Sequence, residues 1–173
     1  MLRALHIAIV PALLMGADRP KPIEEHNLTM PVKIATLKEL NDTFYQGRGA
    51  NRHEAIDIVE PRGTPVVAVE DGEIRKLFLS KPGGKTIYLF EPTEEYCYYY
   101  AHLDGYAPGL KEGQHVTRGQ VIGYVGTTGN APPNTPHLHF TIFKLGTEKK
   151  WYKADAIDPY PYLVASAKRA GIK

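Results

Sequence analysis

The stretch PHLHF, residues 136–140, sets His137 and His139 one residue apart in a run that otherwise has the composition of a β-strand. Side chains alternate faces along an extended chain, so both imidazoles point the same way, roughly 6.6 Å apart. Two imidazoles at that spacing can share one metal ion and the water on it. A second pair lies in RHEAIDI, residues 52–58, where His53 precedes Asp57 by four positions. In a straight strand these two would share a face but stand roughly 13 Å apart. Convergence on one ion therefore requires a bend, which GRGANR just upstream and the small Ala55 between them would permit. A third donor, His102, closes the aromatic run YYYAHL, where a polar side chain is out of keeping with its neighbours.

Each of these signals has a plain structural explanation when taken alone: a half-buried surface pair, a loop histidine beside a surface aspartate, a satisfied histidine at a strand end. Together, in one short chain, they have the donor chemistry of a catalytic metal site. Catalytic zinc commonly takes three protein ligands through nitrogen or oxygen and leaves a fourth position for water. Two neutral histidines and one carboxylate would leave the site at a formal +1, so the ion stays a Lewis acid able to depress the pKa of its water. Cys97 is the single cysteine, which excludes both a closed thiolate site and an internal disulfide. Five donors and one ion leave two groups over for proton transfer and oxyanion stabilisation.

The elements that must position these donors are mostly strands. The chain has 173 residues, with 16 Gly, 14 Pro and 11 Tyr, enough for one core and composed for short strands joined by tight turns. From Ala55 to Tyr124 the runs AIDIVE, PVVAVEDGEIRKLFL, GKTIYLFEP, EYCYYYAHL and QVIGYVG are divided by turn signals such as DG at 71–72 and PGG at 82–84. We expect a mostly-β fold of antiparallel sheets and hairpins, with one or two short helices. One short helix is expected in TLKELNDTF, 36–44, where Thr36 and Glu39 have the spacing of a capping box; a second is expected after the Pro-rich turn in DAIDPYPYLVASAKRAG. Residues 18–35 read as a linker or as an extended arm laid over the domain, with His26 solvated. Alternation along the strand YCYYY sends about half of its tyrosines to the core, leaving the others to face a groove.

Net charge is +2 with no block of like charges, so nothing marks a nucleic-acid track or a polybasic membrane anchor. Residues 1–17, MLRALHIAIVPALLMGA, carry a basic residue, an apolar stretch and a small pair, the layout of a secretory signal with cleavage near Ala17. The segment is short for a membrane span; an uncleaved anchor or an ordinary buried segment stays open as an alternative.

His53-x-x-x-Asp57, His102 in YAHL and His137-x-His139 in PHLHF resemble, in order and in local wording, the lysostaphin-type zinc endopeptidases. The likeness extends over IDIVEPRGTPVVAVEDGEI, GLKEGQHVTRGQVIGYVGTTGNA and DPYPYL, about residues 47–163. This resemblance implies a zinc peptidase domain over 47–163, preceded by a linker and short helix at 18–46 and followed by a tail at 164–173. It implies a barrel-sandwich-like sheet forming a groove, and one zinc ion per chain held by His53, Asp57 and His139. His102 and His137 would be the catalytic residues, His137 the favoured general base and His102 orienting water or donating to the oxyanion; which does which is open from sequence. The substrate would be peptide stems or cross-links of bacterial peptidoglycan, cut in the periplasm, elsewhere in the envelope, or outside the cell. A regulatory protein partner would also fit. Ala55 departs from the family's usual Gly in H-x-G-x-D, which bears on the shape of the bend. No extra wall-binding domain is expected in a chain of this length. Two other readings were weighed. A catalytically silent wall-binding or regulatory module of the same fold would typically lose ligands, and all five donors are retained here. LKEGQHVTRGQVIGYVG resembles the hairpin of biotin- or lipoate-carrying domains, but no lysine flanked by hydrophobics stands out at an exposed turn and the histidines would be unexplained.

Overall fold

The computed structural model describes residues 20–173, so the expected export segment at 1–17 lies outside the described residues. A two-residue hairpin comes first, β1 (Gly47–Arg48) and β2 (Asn51–Arg52). One antiparallel sheet then takes β3 (Ile56–Val59), β4 (Pro65–Val67), β5 (Gly72–Ser80), β6 (Gly84–Phe90), β7 (Tyr96–Tyr106), β8 (His115–Val116), β9 (Val121–Val125), β10 (His137–Leu145) and β11 (Ala154–Ile157). Among the described residues there is one α-helix, α1 (Tyr160–Arg169), near the C-terminus. The expectation of a mostly-β, antiparallel fold with short helices holds.

Strand β10 organises the site. One edge pairs with β7, from His139↔Ala101 to Lys144↔Tyr96. The other edge is divided between two partners, β3 from His137↔Val59 to Phe140↔Ile56 and β11 from Ile142↔Ile157 to Leu145↔Ala154. The period of two sorts the side chains. Leu138, Phe140 and Ile142 go into the core with Tyr98 and Tyr100 of β7 and Ile87 and Leu89 of β6, all fully buried. His137, His139 and Thr141 therefore face the other way, with Tyr99. Burying each large apolar side chain contributes roughly 1.5–3 kcal/mol, and a slip of one residue would turn all of them outward. The hydrophobic half of β10 thus fixes where its histidines point. Phe140→Ala, by leaving a cavity, would weaken this lock most, by about 3–5 kcal/mol.

Residues 20–46 behave as an arm packed on the domain. Ile23, Leu28, Met30, Val32, Ile34 and Leu40 are buried in the main core with Leu163 and Ala167 of α1. Backbone bonds from Thr29 N to Val69 O (2.9 Å) and Val67 N to Pro31 O (2.8 Å) tie the arm to β4 and its flank. The helix expected over 36–44 is a single 3-10 turn, Leu37–Glu39. The capping box exists, with the Glu39 carboxylate accepting from Thr36 N at 3.0 Å and from the Thr36 hydroxyl at 3.2 Å. Beyond it Asn41 and Asp42 compete for backbone bonds, and the Asp42 carboxylate accepts from Phe44 N at 3.2 Å, so the helix does not continue. The second expected helix is α1, which starts after Pro159 with Asp158 Oδ1 accepting from Tyr160 N at 2.9 Å. It straddles residue 163, where the resemblance would have ended the domain.

His26 is not solvated. Its Nδ1 meets Glu70 Oε2 at 2.8 Å, its Nε2 meets Lys21 O at 3.3 Å, and its ring stands edge-on to Tyr96. Glu70 also accepts from the Tyr98 hydroxyl. The arm that sequence composition marked as polar carries alternate apolar residues, and folding them in brings His26 against β7 and the turn before β5.

Candidate active site

Asp57 and His139 are directly opposite each other in the β3–β10 ladder. Opposed side chains on one face bring their Cβ atoms within about 5.5 Å, and here Asp57 Oδ1 lies 3.1 Å from His139 Nδ1. The bend that must bring in His53 is present and sits at Glu54, whose φ is +56°, rather than at Ala55. Ala55 itself is fully buried. Left-handed backbone at a non-glycine residue costs roughly 1–3 kcal/mol and persists where its surroundings over-determine it. They do so here through Glu54 N to Phe44 O (2.9 Å), His53 N to Gln46 O (2.9 Å) and the Thr141 hydroxyl to Glu54 O (2.7 Å). His53 Nε2 consequently stands 3.1 Å from both Asp57 Oδ1 and His139 Nδ1.

Three donor atoms from different parts of the chain thus form a near-equilateral triangle of side 3.1 Å. Zinc bonds of about 2.0–2.1 Å at tetrahedral angles separate ligand atoms by about 3.3 Å, so the triangle is the size of one face of a zinc tetrahedron. The donor chemistry agrees. His53 Nδ1 donates to Thr43 O at 3.1 Å, which leaves the Nε2 lone pair directed inward. A lone pair on one imidazole, a carboxylate oxygen and a nitrogen of a second imidazole converge, a donor set that could hold a cation. Among the described residues, His53, Asp57 and His139 are the group that could hold a metal ion. Burial would raise the Asp57 carboxyl, but hydrogen bonds and charge from His139 and His53 hold it far below the ordinary carboxylate range. Burial pushes the His139 imidazole down against its bond to Asp57.

His102 and His137 stand beside this triangle. Their rings are 4.9 Å apart between centroids, and His102 is 5.4 Å from His139. His137 Nε2 lies 3.7 Å from Asp57 Oδ1. Each is fixed the same way: His137 Nδ1 donates to Thr135 O at 2.8 Å and His102 Nδ1 to Thr128 O at 2.8 Å. Both acceptors come from the loop GTTGNAPPNT between β9 and β10, and both bonds set the tautomer that leaves Nε2 free to accept. His102 is not at a strand end. It lies within β7, where that strand leaves β10 after Ala101 and joins β9 at Leu103, and its own φ is +60°. Its amide donates to Gly83 O at 2.8 Å. Burial pushes its imidazole down to about 4, against the bond to Thr128.

All five residues expected from sequence meet at one cavity of about 440 Å³, whose wall also includes Arg48, Tyr99 and Asn130. Tyr98 and Tyr100 are core residues and Tyr99 faces the cavity, 6.0 Å from His139 between ring centroids. Two contributors escaped sequence reasoning. Thr43 pins both ends of the bend: its carbonyl takes His53, while its hydroxyl donates to Ala55 O (3.2 Å) and accepts from Asp57 N (3.1 Å). Arg48 Nη2 donates to the outer oxygen of Asp57, Oδ2, at 2.9 Å. Neither has a sequence signature, since one is a single threonine ten positions before His53 and the other acts from a separate hairpin.

The family model for peptidase family M23 matches residues 51–159, the span that carries all five site residues. The chain belongs to peptidase family M23. It is 35% identical over 147 residues to the L-Ala–D-Glu endopeptidase of Bacillus subtilis, a match covering 82% of this chain and 44% of that protein. The catalytic domain of lysostaphin from Staphylococcus simulans superposes with a TM-score of 0.57 at 34% identity, covering 68% of this chain and 84% of that one. A zinc-containing peptidase from Vibrio cholerae gives a TM-score of 0.57 at 25% identity, covering 75% of this chain and 38% of that one. The chain spans less than half the length of the full-length relatives it matches first.

Proposed function

We propose that this M23 chain is a zinc-dependent endopeptidase that hydrolyses peptide stems or cross-links of bacterial peptidoglycan. The observation that carries the reading is the triangle of His53 Nε2, Asp57 Oδ1 and His139 Nδ1 with two further imidazole Nε2 atoms beside it. These three atoms would hold the ion. Bound there, zinc supplies a Lewis acid that acidifies a water molecule and polarises a carbonyl.

The protein's own groups divide the remaining work by tautomer. His137 and His102 both keep a proton on Nδ1 for a backbone carbonyl, so each presents an acceptor at Nε2. A neutral imidazole in that tautomer cannot donate to an oxyanion from Nε2, so water orientation is the role that fits His102. Burial also holds its imidazole down to about 4, which makes His102 a weak proton acceptor at neutral pH. We assign proton transfer to His137: it takes a proton at Nε2 from the attacking water and returns it to the leaving nitrogen. Thr135 O holds the ring still throughout. Tyr99 closes the inner wall beside His139 and shapes what lies against it.

The relatives' names specify L-Ala–D-Glu in one case, glycyl-glycine in another and peptidoglycan in a third. These names support peptidoglycan as the substrate class, and a reaction in the cell envelope or outside the cell would follow from it. Residues 1–17 would then serve export. No helix among the described residues is long and apolar enough to cross a membrane. A silent binding module is not favoured, because it has no use for five converging donors. The test is to measure metal content of the purified full chain and its release of peptides from peptidoglycan. We expect about one zinc per chain and release that chelation abolishes. Release that survives metal removal would refute the reading.

A further inference from the structure

Arg48 is the one cationic side chain lining the cavity among the described residues, and Asp57 the one carboxylate. On the reading above, Asp57 Oδ1 is turned to the metal and only Oδ2 is left for Arg48. The guanidinium is half exposed and makes a single hydrogen bond, Nη2 to Oδ2 at 2.9 Å. Arginine carries five N–H donors in a planar fork, so most of its donor capacity is unspent at the mouth of the cavity. It is also presented for contact. The pairs Gly47↔Arg52 and Arg48↔Asn51 hold it on the β1–β2 hairpin, which turns at Gly49 with φ +67°. The segment QGRGANR contains two arginines and no acidic residue, and Arg52 is drawn off over the ring of Tyr45.

A surface arginine beside an aspartate is ordinarily a weak ion pair, worth less than about 1 kcal/mol. This one differs in what happens when a metal takes Asp57. Two positive charges on the ion and one on Arg48 then face one negative charge, and the cavity has a net positive wall next to the reacting carbonyl. A substrate anion is the complement to that wall. We propose that Arg48 is a specificity-determining residue that binds a carboxylate carried on the amino acid flanking the scissile bond, so that the preferred substrate is an acidic peptide. The proposal rests on the endopeptidase reading. It adds which peptides are chosen, and it assigns the choice to a side chain outside the ligand set.

The experiment compares two peptides that differ only in the flanking residue, one with a free carboxylate and one with the isosteric carboxamide. Hydrolysis of each is measured with the zinc-loaded full chain, and binding of each is measured by calorimetry with the His137→Ala chain. For the parent chain we expect kcat/KM to favour the carboxylate by roughly tenfold to a hundredfold, the scale of one charge-assisted contact. Arg48→Gln should bring the two substrates within about twofold while leaving zinc content unchanged, and Arg48→Lys should retain only part of the preference, because a point charge replaces the fork. Equal hydrolysis of both peptides by the parent chain would overturn the proposal. So would a loss in Arg48→Gln that is the same for both, which would reduce Arg48 to a support for Asp57. If neither peptide is cut, the calorimetric arm decides separately: tighter binding of the carboxylate that depends on Arg48 upholds the site while the endopeptidase reading fails, and equal binding overturns both.

Discussion

Among the described residues, two clusters join histidine to a carboxylate, and they differ in what their imidazole nitrogens face. At His26 the ring meets acceptors on both sides, Glu70 Oε2 and Lys21 O, so both nitrogens can carry protons and the imidazolium is satisfied within the protein. The hydrogen bond to Glu70 raises its pKa above the ordinary value, against the lowering effect of burial. At the other cluster His53, His102 and His137 each spend Nδ1–H on a backbone carbonyl, which leaves Nε2 unprotonated, and His53 Nε2 stands 3.1 Å from Asp57 Oδ1. His139 reaches the same point with Nδ1. The residue types are the same in both places. The direction of the lone pairs separates a closed structural pair from a set of donors that could hold a metal ion.

The comparison breaks most sharply if ligands are removed from the convergent cluster. His139→Ala or Asp57→Asn should abolish zinc binding, measured by elemental analysis of the dialysed chain, and reduce hydrolysis to background. His26→Gln should leave zinc content at that of the parent. A loss of zinc from His26→Gln, or its retention in His139→Ala, would erase the distinction. Next in size, His137→Ala should keep the ion and lose roughly a hundredfold to ten-thousandfold in kcat, the range expected for removing a positioned general base.

Thr43 sharpens the comparison from the supporting side. Its hydroxyl ties Ala55 O to Asp57 N, so Thr43→Val should loosen the bend and weaken zinc affinity or activity by about tenfold to a hundredfold. Thr43→Ser, which restores the hydroxyl, should recover most of that loss in a competitive zinc titration. If Val and Ser behave alike, the hydroxyl plays no part in holding the ligands.

The smallest effect belongs to His26. A pKa raised on folding adds stability that is fully present below the unfolded value near 6.5 and disappears as pH rises through the folded value. Screening by solvent at the edge of the arm limits the contribution to about 1 kcal/mol or less. The gap in melting temperature between the parent and His26→Gln, both kept metal-loaded, should therefore be widest near pH 6 and narrow as pH climbs. A gap that widens with rising pH would contradict the imidazolium pair.

Strand periodicity made much of this legible in the sequence. The alternation in HLHFTIFKL states which residues face the core, and that fixes the common direction of His137 and His139. The turn signals at 71–72 and 82–84 fall on either side of β5, and the second closes the β5–β6 hairpin. What could not be read depends on backbone atoms or on chain reversals. The carbonyls of Thr43, Thr128 and Thr135 orient three imidazoles, and a carbonyl carries no residue type. Glu54 and His102 adopt left-handed backbone that their own side chains do not favour, because neighbouring strands impose it. Arg48 reaches Asp57 from a hairpin whose sequence resembles any glycine-rich loop. The arm was misjudged at His26 because proline and charge near residue 20 obscure the apolar positions at 23, 28, 30, 32 and 34.

The most direct test of the convergent cluster is X-ray absorption at the zinc edge of the full chain and of His139→Ala and His137→Ala. The account predicts one zinc in the parent chain with a first shell of nitrogen and oxygen at about 2.0–2.1 Å, including two imidazoles. That shell should persist in His137→Ala and vanish in His139→Ala. A shell that survives in His139→Ala, or that contains a third imidazole lost with His137, would show that the ion is held by a different set of side chains.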